Sequence, residues 1–184
     1  MDDVRRACAW LVILAATISP GSPSSAQGTA AEYQLKAAFV SKFPEFTEWP
    51  EAALDGRDTV DLCVARPNPF GTALSELVTG EVLRGRRLVT RDIDSPAAID
   101  HCQVLFVSGL PPNARRLLLA RAATLPMLTV GDYPAFLDEG GIVSLRIVAG
   151  RVRFDVNVEA SSRVGIRLGS QLLRLAANVR GGTR

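Results

Sequence analysis

Between Val60 and Gly141, short apolar runs alternate with amphipathic stretches. Val60–Ala65 is apolar and β-branched, and Arg86–Ile93 interleaves apolar with charged residues. Val104–Val107 and Met127–Val130 are continuous apolar runs, as expected of strands buried on both faces of a sheet. These four segments predict strands. Asn68-Pro69 predicts a helix start, with Asn68 as cap, Pro69 in the first position, and Leu74, Leu77 and Val78 facing inward. Pro96–Asp100 is a short intervening segment. Asn113–Ala123 predicts a helix with Leu117, Leu118 and Ala122 inward, and Tyr133–Glu139 a shorter one stopped by Gly140-Gly141. Strand and helix in alternation argue for a parallel sheet with helices on both faces.

Two segments flank this alternation. Tyr33–Trp49 places Leu35, Phe39, Phe43 and Phe46 at helical spacing, an apolar payload suited to packing on the sheet. Pro44 within it removes a donor and crowds the preceding turn, so a kink or two short helices are expected. At the other end, Ile142–Val148 and Val152–Val158 alternate with a period of two around Ala149-Gly150, which predicts a β-hairpin. Asn157 is placed to cap a helix, with Glu159 near its positive end. Val164, Leu168, Leu172, Leu175 and Val179 follow at spacings of four, four, three and four, the stripe of one closing helix. Gly165 and Gly169 on a neighbouring face would let that helix lie close to the sheet.

This terminal stretch carries a resemblance. GG-I-V-x-L from Gly140, G-R-V-R-F-D-V-N from Gly150 and A-x-x-x-x-G-I-R-L-x-S-x-L-L-R-L-A from Ala160 resemble the signature of the YfiR family of periplasmic regulators. The F-x-x-x-F-x-x-F-x-x-W-P pattern from Phe39 is similar to that family too, and the resemblance runs from Tyr33 to Ala177. It implies a non-enzymatic, export-directed α/β protein. Such a protein would bind the periplasmic domain of an inner-membrane diguanylate cyclase and hold the cyclase inactive. The expected fold is a three-layer α/β/α sandwich: a mostly parallel sheet of about five strands, a C-terminal antiparallel hairpin and a closing helix.

Compartment and charge fit that expectation. Arg5 and Arg6 precede the apolar run Ala7–Ile18, and Ser24-Ser25-Ala26 offers small residues for cleavage before Gln27. Residues 1–26 are thus expected to be a removable leader and 27–184 a single domain. The run is too short for a membrane span, which needs roughly 20 apolar residues. Loss of the leader with Cys8 leaves Cys63 and Cys102, which read as a disulfide in an oxidising compartment, or else as two buried thiols. A formal charge of +2 is too small to suggest nucleic acid as a partner.

No catalytic constellation emerges. His101 is the sole histidine, so a metal site or a nucleophile–histidine pair has no spare members, and neither cofactor nor metal is expected. Two groups are candidates for binding a small anion. Arg66, Asn68 and Ser108 fall beyond the carboxyl ends of the first and third strands, where such sheets change winding direction. Arg163, Arg167 and Arg174 would line one face of the closing helix; guanidinium groups grip carboxylate and phosphate two-handedly, but such a row is more often a solvated face. Arg163 and Arg167, beside a hairpin expected at a sheet edge, are also the candidate surface for a protein partner. A homodimer stays open. So does a different role, as a small-molecule receptor or accessory factor for a sensor kinase or outer-membrane transporter.

Overall fold

The computed structural model of the chain describes residues 25–181, with side chains from Thr29 onward; the expected leader features Arg5, Arg6 and Cys8 lie outside that range. Five parallel strands form the centre: β4 (Arg86–Ile93), β2 (Thr59–Ala65), β5 (Val104–Val107), β6 (Leu128–Gly131) and β7 (Val143–Val148), side by side in that order. The sequence pattern explains their position. In β2 and β5 every other residue serves a different core. Leu62, Val64, Val104 and Phe106 face one cluster, while Cys63, Ala65, Leu105 and Val107 face the other.

The first cluster is covered by α1 (Ser25–Lys42) and α2 (Ala73–Val78), whose inward residues are Ala37, Val40, Leu74 and Val78. Phe43 and Phe39 pack edge-on against Phe154, with ring centroids 5.6 and 6.2 Å apart. The second cluster is closed by α3 (Pro112–Ala122) through Leu118, Leu119 and Ala122, together with Ile99 and Phe136. Helices therefore lie on both faces, but the sheet is larger and more mixed than a five-strand sandwich. It has eight strands, in the order β10 (Asn178–Arg180), β8 (Arg151–Asn157), β7, β6, β5, β2, β4 and β3 (Val82–Leu83), with β3 antiparallel to β4.

The hairpin of β7 and β8 (Arg151–Asn157) forms as expected. Its turn residues Ala149 and Gly150 have φ of 49° and 71°, the left-handed pair that a two-residue hairpin loop requires. It is not an edge. β10 (Asn178–Arg180) lies parallel along the outer side of β8. β3 covers the outer side of β4, whose arginines are engaged: Arg86 donates to the carbonyls of Leu54 and Arg57, and Arg91 pairs with buried Asp61.

The single closing helix is the main correction. Asn157 does cap a helix, its Oδ1 accepting from the Ala160 N–H at 3.0 Å, but α4 (Val158–Arg163) ends after six residues. Gly165 then adopts φ +75°, which no helix continues. β9 (Arg167–Leu168) pairs antiparallel with β1 (Thr47–Glu48), and the Gly169 N–H donates to the Phe46 carbonyl at 2.8 Å. A Cβ on Gly169 would sit 3.3 Å from that carbonyl oxygen, so the close approach fits glycine. α5 (Ser170–Leu175) follows, and of the expected stripe Leu172 alone is fully buried, whereas Leu175 is 65% exposed.

Smaller differences have local causes. Pro44 opens a 3-10 turn, Phe43–Phe46, after α1 ends. Leu77 and Leu117 point outward, because Leu74/Val78 and Leu118/Leu119/Ala122 already fill the inner stripes. Asn68 accepts from the Phe70 N–H at 2.8 Å, capping a turn, and α2 begins five residues later. Residues 133–139 form consecutive turns instead of a helix. They deliver the fully buried Phe136 ring between Gly131 and Gly141. A Cβ on either glycine would come within 2.4 or 2.3 Å of that ring. Gly141→Ala is therefore expected to cost roughly 2–3 kcal/mol in urea denaturation, with Phe136→Leu restoring part of the loss. An alanine variant as stable as the parent would show that the ring can yield.

Candidate functional site

The crevice beyond β2 and β5 is built as the topology requires, and α1 fills it. Tyr33 and Lys36, one turn apart, reach down to the carboxyl ends of β5 and β6. Tyr33 Oη lies 3.1 Å from Ser108 Oγ, and Ser108 is buried. Lys36 Nζ donates to Asp132 Oδ2 at 2.7 Å and lies 2.5 Å from Glu32 Oε1. The Lys36 and Asp132 side chains are only 4% and 5% exposed. Burial alone would lower the Lys36 pKa, but the bonds to Asp132 and Glu32 outweigh it and hold the ammonium above its ordinary range. Burial pushes the Tyr33 phenol upward.

The other two crevice candidates are engaged with nearby carboxylates. Arg66 sits 3.5 Å from Asp92 and 3.3 Å from Asp94, and Asn68 Nδ2 donates to Asp92 Oδ1 at 2.8 Å. Arg66, Asn68 and Ser108 thus share one end of the sheet, each satisfied from within the chain.

The arginine row does not share one helix face. Arg163 ends α4, Arg167 lies on β9 and Arg174 on α5. Arg167 stands opposite Glu48 across the β1–β9 pairing and bonds it at 2.8 Å, with both side chains mostly in solvent. Arg163 is 3.8 Å from Glu159, and Arg174 donates to Ser170 Oγ at 3.3 Å. These guanidiniums remain exposed, on the terminal unit that begins with the hairpin.

Cys63 and Cys102 are joined, with Cα atoms 5.8 Å apart, tying β2 to the residue that leads into β5. Asp132 and Asp155 both have partners. Asp155 accepts from Arg146 at 3.1 and 3.2 Å and from Asn178 at 2.7 Å. Burial would raise the Asp155 pKa, yet those bonds outweigh it and hold the carboxyl below its ordinary range. Sequence reasoning missed Glu32, Tyr33, Lys36 and Asp132 as a group. Lys36 and Asp132 are 96 positions apart, and no local pattern joins them.

Among the described residues, no group of three His, Cys, Asp or Glu side chains could hold a metal ion. Among them, too, no helix is long and apolar enough to cross a membrane. His101 lies in a turn, where its carbonyl accepts from Arg57 at 3.4 Å.

A protein-family model described as YfiR/HmsC-like matches residues 33–177. Solved structures share the architecture. A conserved domain protein from Vibrio cholerae O1 biovar El Tor aligns at 13% identity with a TM-score of 0.51. An ABC domain in complex with L-Trp from Streptococcus pneumonia aligns at 11% identity with a TM-score of 0.50. Each alignment covers 80% of this chain and 60% of the other, so the chain spans about three fifths of their length. At such identities the likeness concerns the fold alone.

Proposed function

The chain belongs to the YfiR/HmsC-like family, and from that premise we propose that it is a non-enzymatic periplasmic regulator of cyclic-di-GMP signalling. In this reading it binds the periplasmic domain of an inner-membrane diguanylate cyclase and holds the cyclase inactive. The observation that carries the reading is the family match across residues 33–177, nearly all of the described domain. The Cys63–Cys102 bridge supports an oxidising compartment. The chemistry of the surface supports binding: arginines are favoured in interfaces, and Arg163 and Arg167 lie exposed on the terminal unit.

Arg163→Glu and Arg167→Glu test the proposed interface. Each is expected to release the membrane partner in pull-downs and to raise cellular cyclic-di-GMP. Stability should change by less than about 1 kcal/mol, because the Glu48 and Glu159 pairs are solvent-exposed. Variants that fold normally and still repress fully would place the interface elsewhere. If deletion of the whole protein left cyclic-di-GMP unchanged, the regulatory reading itself would fail.

A further inference from the structure

A hollow in the described surface shares none of its lining residues with the strand-end crevice. It is a groove of about 450 Å³ between α3 and α4, at the end of the sheet where β6 and β7 begin. That volume falls in the range of small-molecule sites. Its apolar lining includes Leu119, Met127, Ile142 and Val164, and Arg116 and Arg163 stand among its lining residues.

The charges at this groove are not balanced. Glu139 is the carboxylate that lines it, and its charge is already taken: Arg115 grips it with bonds of 2.8 to 3.1 Å, and the Tyr133 hydroxyl donates at 2.9 Å. Arg115 in turn lies 4.4 Å from the centre of the Tyr133 ring. Arg116 bonds only its own helix, to the Pro112 carbonyl and Asn113 Oδ1. Arg163 has Glu159 at 3.8 Å, an exposed and loose pair. An apolar floor thus meets one guanidinium in excess of the carboxylates, Arg116, and a second, Arg163, held only by a loose exposed pair. A cationic or neutral ligand would leave that charge unanswered; an anionic head on an apolar body would answer it.

We propose that this groove binds an amphipathic monocarboxylate of the medium-chain fatty acid class. The aliphatic body lies along Leu119, Met127, Ile142 and Val164, and the carboxylate is held by Arg116 and Arg163. This goes beyond the regulatory reading and does not depend on it, since it concerns the purified chain alone.

Calorimetric titration of the purified oxidised protein with decanoate, below its micelle concentration, tests the proposal. Sub-millimolar binding is expected, with decanol and decylamine at least tenfold weaker. Arg116→Glu and Arg163→Glu should each weaken decanoate about tenfold, the scale of one charge-assisted hydrogen-bonding group. Ala120→Trp, on the exposed side of α3 within the groove lining, should abolish binding without touching an arginine. Absence of decanoate binding would overturn the proposal. So would equal affinity for decanol, or decanoate binding unchanged in folded Arg116→Glu and Arg163→Glu proteins.

Discussion

Replacing Lys36 with methionine is expected to remove about 3–5 kcal/mol of stability. The substitution leaves the buried Asp132 carboxylate without its ammonium, and an uncompensated buried charge costs far more than an intact pair contributes. Asp132→Leu in the same chain should recover most of the loss, because two apolar residues need no counter-charge. Glu32 can remain, since it is partly in solvent. The lysine is held above its ordinary pKa, so the sign of the pH effect follows. The contribution is complete below the unfolded lysine range near 10.4 and fades as pH rises through the higher folded value. Urea melts at neutral and alkaline pH would read both effects. A methionine variant within about 1 kcal/mol of the parent would mean that water reaches the pair.

Loss of the Cys63–Cys102 bridge should cost about as much. The two residues are 39 positions apart, and closing a loop of that length stabilises a fold by about 4 kcal/mol in the chain-entropy account. Alanine at both positions should therefore lower the melting temperature by roughly 8–16 °C. Alanine suits the test because both cysteines are buried, where serine would add an unsatisfied hydroxyl. In the native oxidised domain neither thiol should react with a thiol reagent. Two reactive thiols, or an alanine pair as stable as the parent, would contradict the bridge.

The parallel core was legible because its central strands are apolar runs between polar turns, and its outer strand β4 interleaves apolar with charged residues. Arg86–Ile93 and Val104–Val107 match the observed strands residue for residue. The Asn157 cap was legible for a local reason also, a side-chain oxygen three residues before the N–H it accepts from. The terminal segment misled because spacings of four, four, three and four satisfy a helix without requiring one. Two glycines outweighed them, one through its positive φ and one through its approach to Phe46. The Lys36–Asp132 contact and the α3–α4 groove were invisible for another reason. Each depends on how distant elements stack, and neither leaves a periodicity in the chain. The members of the arginine row are exposed, but they are spread over three elements instead of one helix face.

The pairing of β1 with β9 joins Thr47 to Leu168, about 120 positions later, and β10 is laid on last of all. A polypeptide that emerges N-terminus first has Phe43, Phe46 and Trp49 in the open well before Gly169 can seat against Phe46. At ordinary synthesis rates that interval is on the order of ten seconds, long compared with hydrophobic collapse. The aromatic flank is thus the stretch in greatest need of shelter while the chain is being made. A stop codon just before Ile166 would leave the five strands of the parallel centre present and that flank unsealed.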